Sequence, residues 1–252
     1  DVFPSVMKMD VARDEPMQVF AGSDKIDASG IGPRQLNAPT CVATDPQGRV
    51  YVADYLNDRV QVFDPAGELV KSISASKPAW VRVHQKTGEI YVFSWTVATA
   101  KLDPKATLKP TLTVLSALPE ARKLASYDLP GSAEGAGGFR YGTTFYQFFA
   151  ELDSWADKPT FWLVQDWAQS NVITAAQPME SNITMYRLEG GKVVPVLDFE
   201  KEISRAKVRP TVHNHQRQRL YVNPKTGRVF LTEGDAFIGK SFKEAWELDP
   251  DT

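Results

Sequence analysis

The sequence predicts an all-β chain assembled from repeated four-stranded units, and three observations predict it. A turn of the form Asp/Asn-Pro-x-Gly or Lys-Thr-Gly recurs, each time leading into a short β-branched and aromatic run. A second apolar stretch then follows and ends in Asp-Pro or a glycine turn. The first two units are also evenly spaced, with Tyr51 and Tyr91 standing 40 residues apart, close to the roughly 40 to 45 residues of one unit in a radially repeated sheet.

In chain order, the units open at Asp45-Pro46-Gln47-Gly48-Arg49-Val50-Tyr51-Val52-Ala53-Asp54, at Gln85-Lys86-Thr87-Gly88-Glu89-Ile90-Tyr91-Val92-Phe93-Ser94 and at Asn223-Pro224-Lys225-Thr226-Gly227-Arg228-Val229-Phe230-Leu231-Thr232-Glu233. A weaker copy without the glycine turn runs from Pro159 to Asp166. The second stretches end at Val62-Phe63-Asp64-Pro65, Lys101-Leu102-Asp103-Pro104, Tyr186-Arg187-Leu188-Glu189-Gly190-Gly191 and Trp246-Glu247-Leu248-Asp249-Pro250. Outer strands are expected at Glu68 to Ile73 and Lys192 to Phe199. Short strands cut by Gly, Pro, Asn and Asp, and repeated in this way, bury their faces only against neighbouring copies. The expected architecture is a β-propeller with at least four recognisable blade units.

The later units are stretched, with 72 residues from Tyr91 to Leu163 and 67 from Leu163 to Phe230. Inserted loops or a degenerate blade account for this, and the main insertion is expected around 121–157. That span carries the glycine-rich stretch Gly131 to Gly138 and the aromatic run Phe139 to Phe149. An ordinary long surface loop feeding an inner strand is favoured there over a lid. Residues 1–252 are read as one propeller domain or a fragment of a longer one, because the last unit stops at Asp251-Thr252. In the alternative, Met17-Gln18-Val19-Phe20 supplies the missing outer strand of the last blade and removes its open edge.

The stretch from Leu36 to Phe63, LNAPTCVATDPQGRVYVADYLNDRVQVF, resembles an NHL repeat almost position for position. Lys77 to Pro104 and Gln218 to Thr252 are looser copies. The resemblance implies an NHL-type propeller, commonly six-bladed. Different members use that fold to bind partners, to bind RNA, or to carry a metal-dependent lyase or hydrolase site, so family membership does not fix the function.

Composition narrows the classes. The chain has 252 residues, 42% hydrophobic and 24% charged, with a formal net charge of −2. That excludes intrinsic disorder, and no apolar run is long enough to span a bilayer as a helix. Near-neutral charge disfavours nucleic acid as a partner, although Arg205, Lys207, Arg209, Arg217 and Arg219 form a local basic cluster that also suits an anionic small molecule. The single cysteine, Cys41, makes neither an internal disulfide nor a multi-thiolate metal site. Opening at Asp1 rather than Met is compatible with a removed leader, and an exported location is favoured over a cytoplasmic one.

Strands alternate direction within a blade, so the loop before the inner strand and the end of the second strand emerge on one face. That face collects the ligand-binding candidates Trp95, Arg140, Tyr141, Asp166, Trp167 and Arg217, with Trp80 and Tyr146 as further stacking surfaces. His213-x-His215 in extended conformation points both imidazoles one way. With Glu233 and Asp235 they form a candidate site for a divalent metal ion. Solvated or backbone-bonded histidines are the more common outcome for such a pair. Asp54 is expected to pin a turn with Arg59, whereas Asp166 and Glu233 lack an arginine at that spacing and are better functional candidates. His84, beside a Lys-Thr-Gly turn, is expected at the surface. Trp162 and Trp246 are expected to pack between blades. Nucleotide-binding and common hydrolase signatures are absent. Asn182-Ile183-Thr184 is a glycosylation sequon, meaningful only in a secreted eukaryotic protein. The expectation for function is therefore a module binding a protein or small molecule through one loop face. A metal-dependent enzyme on the His213/His215 face and an RNA-binding domain are the alternatives.

Overall fold

The computed structural model describes residues 4–13, 15–25, 27–95, 97, 109–130, 148–165, 182–198, 216–223, 226, 228–234 and 245–248. Its chain folds as two compact units, one centred on the first ten strands and one on the remaining seven.

The first unit begins with a hairpin, β1 (Ser5–Lys8) and β2 (Gln18–Gly22). The first blade follows as β3 (Pro39–Thr44), β4 (Val50–Asp54), β5 (Arg59–Phe63) and β6 (Leu69–Ser74), paired in that order. The second blade is β7 (Pro78–Val83), β8 (Ile90–Ser94), β9 (Thr111–Leu115) and β10 (Lys123–Asp128), again in sequential order. Four strands paired in chain order form a propeller blade.

Period-two alternation sorts the first blade's side chains into two cores. Tyr51 and Ala53 of β4, with Val60 and Val62 of β5, pack against Val81, Val83, Ile90 and Val92 of the second blade. Val52 and Phe63 point the other way, into a cluster with Leu36 and Ala21. There the Phe20 ring meets Phe63 edge-on at 5.9 Å and fastens the hairpin to the blade. Gly22, at φ +84°, closes the hairpin against Pro4, where a Cβ would lie 1.9 Å from the Pro4 carbonyl oxygen, so no other residue fits.

Met17–Phe20 thus takes a different partner from the one considered for it. Gln18–Gly22 pairs with Ser5–Lys8. A turn at Asp10, whose carboxylate accepts the Ala12 N–H at 2.9 Å, makes that local pairing available. Closing a short loop costs less entropy than a pairing across the whole chain.

The second unit carries the third blade, β11 (Phe148–Leu152), β12 (Thr160–Gln165), β13 (Asn182–Glu189) and β14 (Lys192–Asp198), and a three-stranded sheet of β15 (Gln216–Val222), β16 (Val229–Gly234) and β17 (Ala245–Leu248). The inner strands β11 and β12 lie against β15. Trp162 is buried, and Phe161 stacks on its cross-strand partner Tyr186 at 5.7 Å. Within 121–157, the segment 123–128 is the outermost strand of the second blade and 148–152 the innermost of the third. Residues 131–147, with the glycine-rich stretch, lie outside the described residues. Among the described residues no helix is long and apolar enough to cross a membrane.

Candidate functional site

The register fixes which loops share an end of each sheet. Pro39 pairs with Asp54, Pro78 with Ser94, Phe148 with Gln165 and Gln216 with Gly234. In every blade the segment before the first strand therefore emerges beside the segment after the second.

At this end of the first blade lies a buried polar network centred on Asp54, which is 0% exposed. Alternation puts Asp54 on the Val52 face of β4, and Arg59 and Gln61 on the matching face of β5. Asp54 and Arg59 are direct register partners. The carboxylate accepts the Asn37 N–H at 2.7 Å, Asn57 Nδ2 at 2.8 Å, Arg59 Nε at 2.7 Å and Gln61 Nε2 at 3.2 Å. Arg59 extends outward to the carbonyls of Ile31 (2.8 Å), Gly32 (3.1 Å) and Gln35 (2.8 Å). Gln61 completes the clamp, accepting from the Arg34 N–H at 3.2 Å and donating to the Gln35 carbonyl at 2.7 Å. Four donors converge on the carboxylate, three of them on Oδ2, and Nε, Nη1 and Nη2 of the guanidinium each have an acceptor, so this cluster holds loop 30–37 in place. The expected Asp54–Arg59 pair is present, and it fixes a loop as well as a turn.

The clamp presents Ile31, 81% exposed, on a loop whose backbone is tied down on both sides of it. Toward the second blade, Tyr55 donates to the Trp95 carbonyl at 3.2 Å, and Lys77 meets Asp58 with both its N–H and its ammonium, at 2.8 and 2.7 Å.

The opposite end holds the turns between first and second strands. In the first blade Asp45, buried, accepts the N–H groups of Gln47 and Arg49 at 3.0 Å, Arg49 Nε at 2.6 Å and the Tyr51 hydroxyl at 3.0 Å. Burial, reinforced by the Asp45 charge, pushes the Tyr51 hydroxyl well above the usual tyrosine range. In the second blade His84 occupies the place of Asp45. It is 1% exposed, which corrects the expectation of a surface residue. Its Nδ1 accepts the N–H groups of Thr87 at 3.1 Å and Lys86 at 3.3 Å. The imidazole does the turn-closing work of the carboxylate, and no turn rule based on Asp or Asn reveals that in advance.

Of the candidate residues, Trp95 is 1% exposed and packs by the Phe93 ring at 6.2 Å, so its indole fills the interior here rather than presenting a face. Trp80 is half-buried with the Arg82 guanidinium 5.2 Å over its ring, and Arg82 Nη1 also donates to Cys41 Sγ at 3.1 Å. Arg217 and Glu233 are direct cross-strand partners in β15 and β16. Glu233 thus has an arginine opposite it in register, at a sequence distance that a local spacing rule does not see. Arg140, Tyr141, Tyr146, Asp166, Trp167, His213, His215 and Asp235 lie outside the described residues. Among the described residues no three His, Cys, Asp or Glu side chains converge as a metal site.

Residues 36–63 match the NHL repeat family. No match is found among curated proteins. Among solved structures, the chain is similar to hydrazine synthase of Kuenenia stuttgartiensis, at 15% identity over 77% of this chain and 43% of that one, with a TM-score of 0.43. It is also similar to a protein from Lactobacillus plantarum, at 10% identity over 92% of this chain and 58% of that one, with a TM-score of 0.45. A streptogramin B lyase aligns at 11% identity over 84% of this chain and 68% of that one, with a TM-score of 0.35. The chain spans about half the length of the first two. Residues 36–63 match the NHL repeat, and three of the described sheets have the four-stranded, chain-order pairing of β-propeller blades.

Proposed function

We infer that this chain is a binding module, taking a protein or small-molecule ligand at the end where the inner strands begin. The observation that supports the reading is the register within each blade sheet, which sets the segment before its first strand beside the segment after its second. Rigid strands supporting variable loops are the usual foundation of a ligand site. The sequence stations Arg140 and Tyr141 before the third blade, Asp166 and Trp167 after its second strand, and Arg217 within the fourth sheet. These offer aromatic stacking and anion pairing in place of Trp95, which is packed.

The test is a photo-crosslinking amino acid placed at Ile31 and Ser76 at this end, or at Gln47 and Lys86 at the other, in cells making the chain; all four are exposed. Adducts at the first pair alone are expected. Adducts at the second pair alone, or equally at both, overturn the reading.

One observation favours a second reading, a metal-dependent enzyme of lyase or hydrolase type. Gln216 opposes Gly234, so His213 and His215 precede, and Asp235 follows, the same end of one sheet. Elemental analysis beside a His213→Ala/His215→Ala variant tests it. A transition metal present in the parent and absent in the variant supports it, and no metal in either removes it.

A further inference from the structure

We propose that the N-terminal hairpin is a soft-metal site, in which the thioethers of Met7, Met9 and Met17 bind a single Cu(I) ion. The two faces of this ribbon differ. Val6, Phe20 and Ala21 pack onto Leu36, Val52 and Phe63, so one face is spent on the first blade. Met7 pairs directly with Val19 in the ladder, on the other face, and both are exposed, at 43% and 40%. Lys8 pairs with Gln18 as the last rung of the ladder, and Met9 and Met17, 59% and 61% exposed, are the next residues on the two chains. Carried one position past the last rung, the two-residue alternation of the ribbon would set Met7 and Met9 on one face with Met17 and Val19.

Outward positions of a ribbon with one covered face are ordinarily polar, yet three of the chain's five methionines fall here. Opposed residues stand about 5 Å apart at Cβ and same-face neighbours on one strand about 7 Å. Three rotatable bonds per methionine span those gaps, so the three sulfurs can converge on one point.

The donor set selects the ion. Thioethers are soft and neutral, which suits Cu(I) and leaves Mg(II), Ca(II) or Zn(II) to oxygen and nitrogen sites. The charges alongside are net negative, one arginine against two carboxylates, and suit a cation. Arg13 lies 3.5 Å from Asp10 and 3.7 Å from Glu15, and Lys8 alternates to the other side. A thioether has no proton to lose, so binding is independent of pH where histidine and cysteine sites are not. The proposal uses neither His213 nor His215 and does not rest on the proposed loop-face function.

The test titrates the full chain with Cu(I), kept reduced by ascorbate without oxygen, against a bicinchoninate competitor. The parent, a Met7→Leu/Met9→Leu/Met17→Leu variant, Cys41→Ser and His213→Ala/His215→Ala are compared. Leucine is close in volume and the positions are exposed, so the fold is retained; circular dichroism checks this, and single Met9→Leu serves if the triple variant does not fold. One equivalent bound by the parent, Cys41→Ser and the histidine variant is expected, with sulfur-only coordination by X-ray absorption. Loss in the triple variant, weakening in Met9→Leu, and affinity constant from about pH 5 to pH 8 complete the expected result. No binding by the parent, undiminished binding by the methionine variants, or affinity that falls on acidification overturns the proposal.

Discussion

The first and second blades share a backbone plan and solve its polar requirements with different side chains. At the turn between first and second strands, the Gly48 N–H bonds to the Asp45 carbonyl and the Gly88 N–H to the His84 carbonyl, with φ of +74° and +72° at the glycines. The acceptor that closes the turn is a carboxylate in one and an imidazole in the other. Beside it, Arg49 in the first blade is replaced by Glu89 in the second, and the conserved-in-place tyrosine hydroxyl donates to Asp45 at 3.0 Å or to Glu89 at 3.3 Å. At the other end Asp54, with four donors around it, is replaced by Ser94, also buried. What repeats is the role: an acceptor for backbone N–H groups and a filled strand end. An NHL repeat matches where the residues repeat as well, over 36–63.

Removing the centre of the clamp has the largest expected effect on that contrast. Asp54→Ala strands Arg59, Gln61 and the Asn37 N–H around a dry vacancy, and chemical denaturation is expected to show a loss of about 3–5 kcal/mol. Ser94→Asp transplants the carboxylate without its arginine. Burying an unpaired charge there is expected to cost about 3 kcal/mol, so the same residue that stabilises one blade destabilises the other. A neutral result would mean that the second blade reorganises to supply donors.

At the turns, His84→Leu leaves two N–H groups without their acceptor and is expected to cost about 1–3 kcal/mol. His84→Asp restores the first blade's chemistry and is expected to cost clearly less. Equal losses in the two variants would mean the imidazole matters for its volume.

The smallest effect is expected for Tyr51→Phe, about 1 kcal/mol near neutral pH from one lost hydrogen bond. It has a pH signature. The folded-state hydroxyl is held neutral above the pH where an unfolded tyrosine ionises, so the unfolded chain releases its proton first. That stability is complete below the ordinary tyrosine range and falls as pH rises through and above it. The variant is expected to show a flatter alkaline decline, and an unchanged decline contradicts the assignment.

Strand positions were legible where turn chemistry and alternation coincide. Asp45 to Asp54 and Gln85 to Ser94 contain β4 and β8, and the outer strands expected at 68–73 and 192–199 appear at Leu69–Ser74 and Lys192–Asp198. The Asp54–Arg59 pair was legible because a five-residue separation places both at one end of a tight hairpin. The burial of His84 was not, since lysine, threonine and glycine around it signal surface and only the fold shows an imidazole turned inward. The Arg217–Glu233 pairing was not, because it depends on a register shift between Arg217 and Arg219. The β1–β2 hairpin went unread because its outward positions carry methionine and valine, which blurs the alternation that marks a ribbon.

The Asp54 cluster is a structural clamp that fixes loop 30–37 at the end of the first blade where β3 begins. Native-state hydrogen exchange of the parent against Arg59→Lys tests it most directly, because lysine keeps the charge beside Asp54 and loses the fork that spans three carbonyls. Slow exchange is expected at the Arg34 and Asn37 amides in the parent, with much faster exchange at both in the variant and unchanged β7 and β8. Fast exchange at those two amides in the parent, or equal acceleration throughout the second blade, would contradict it.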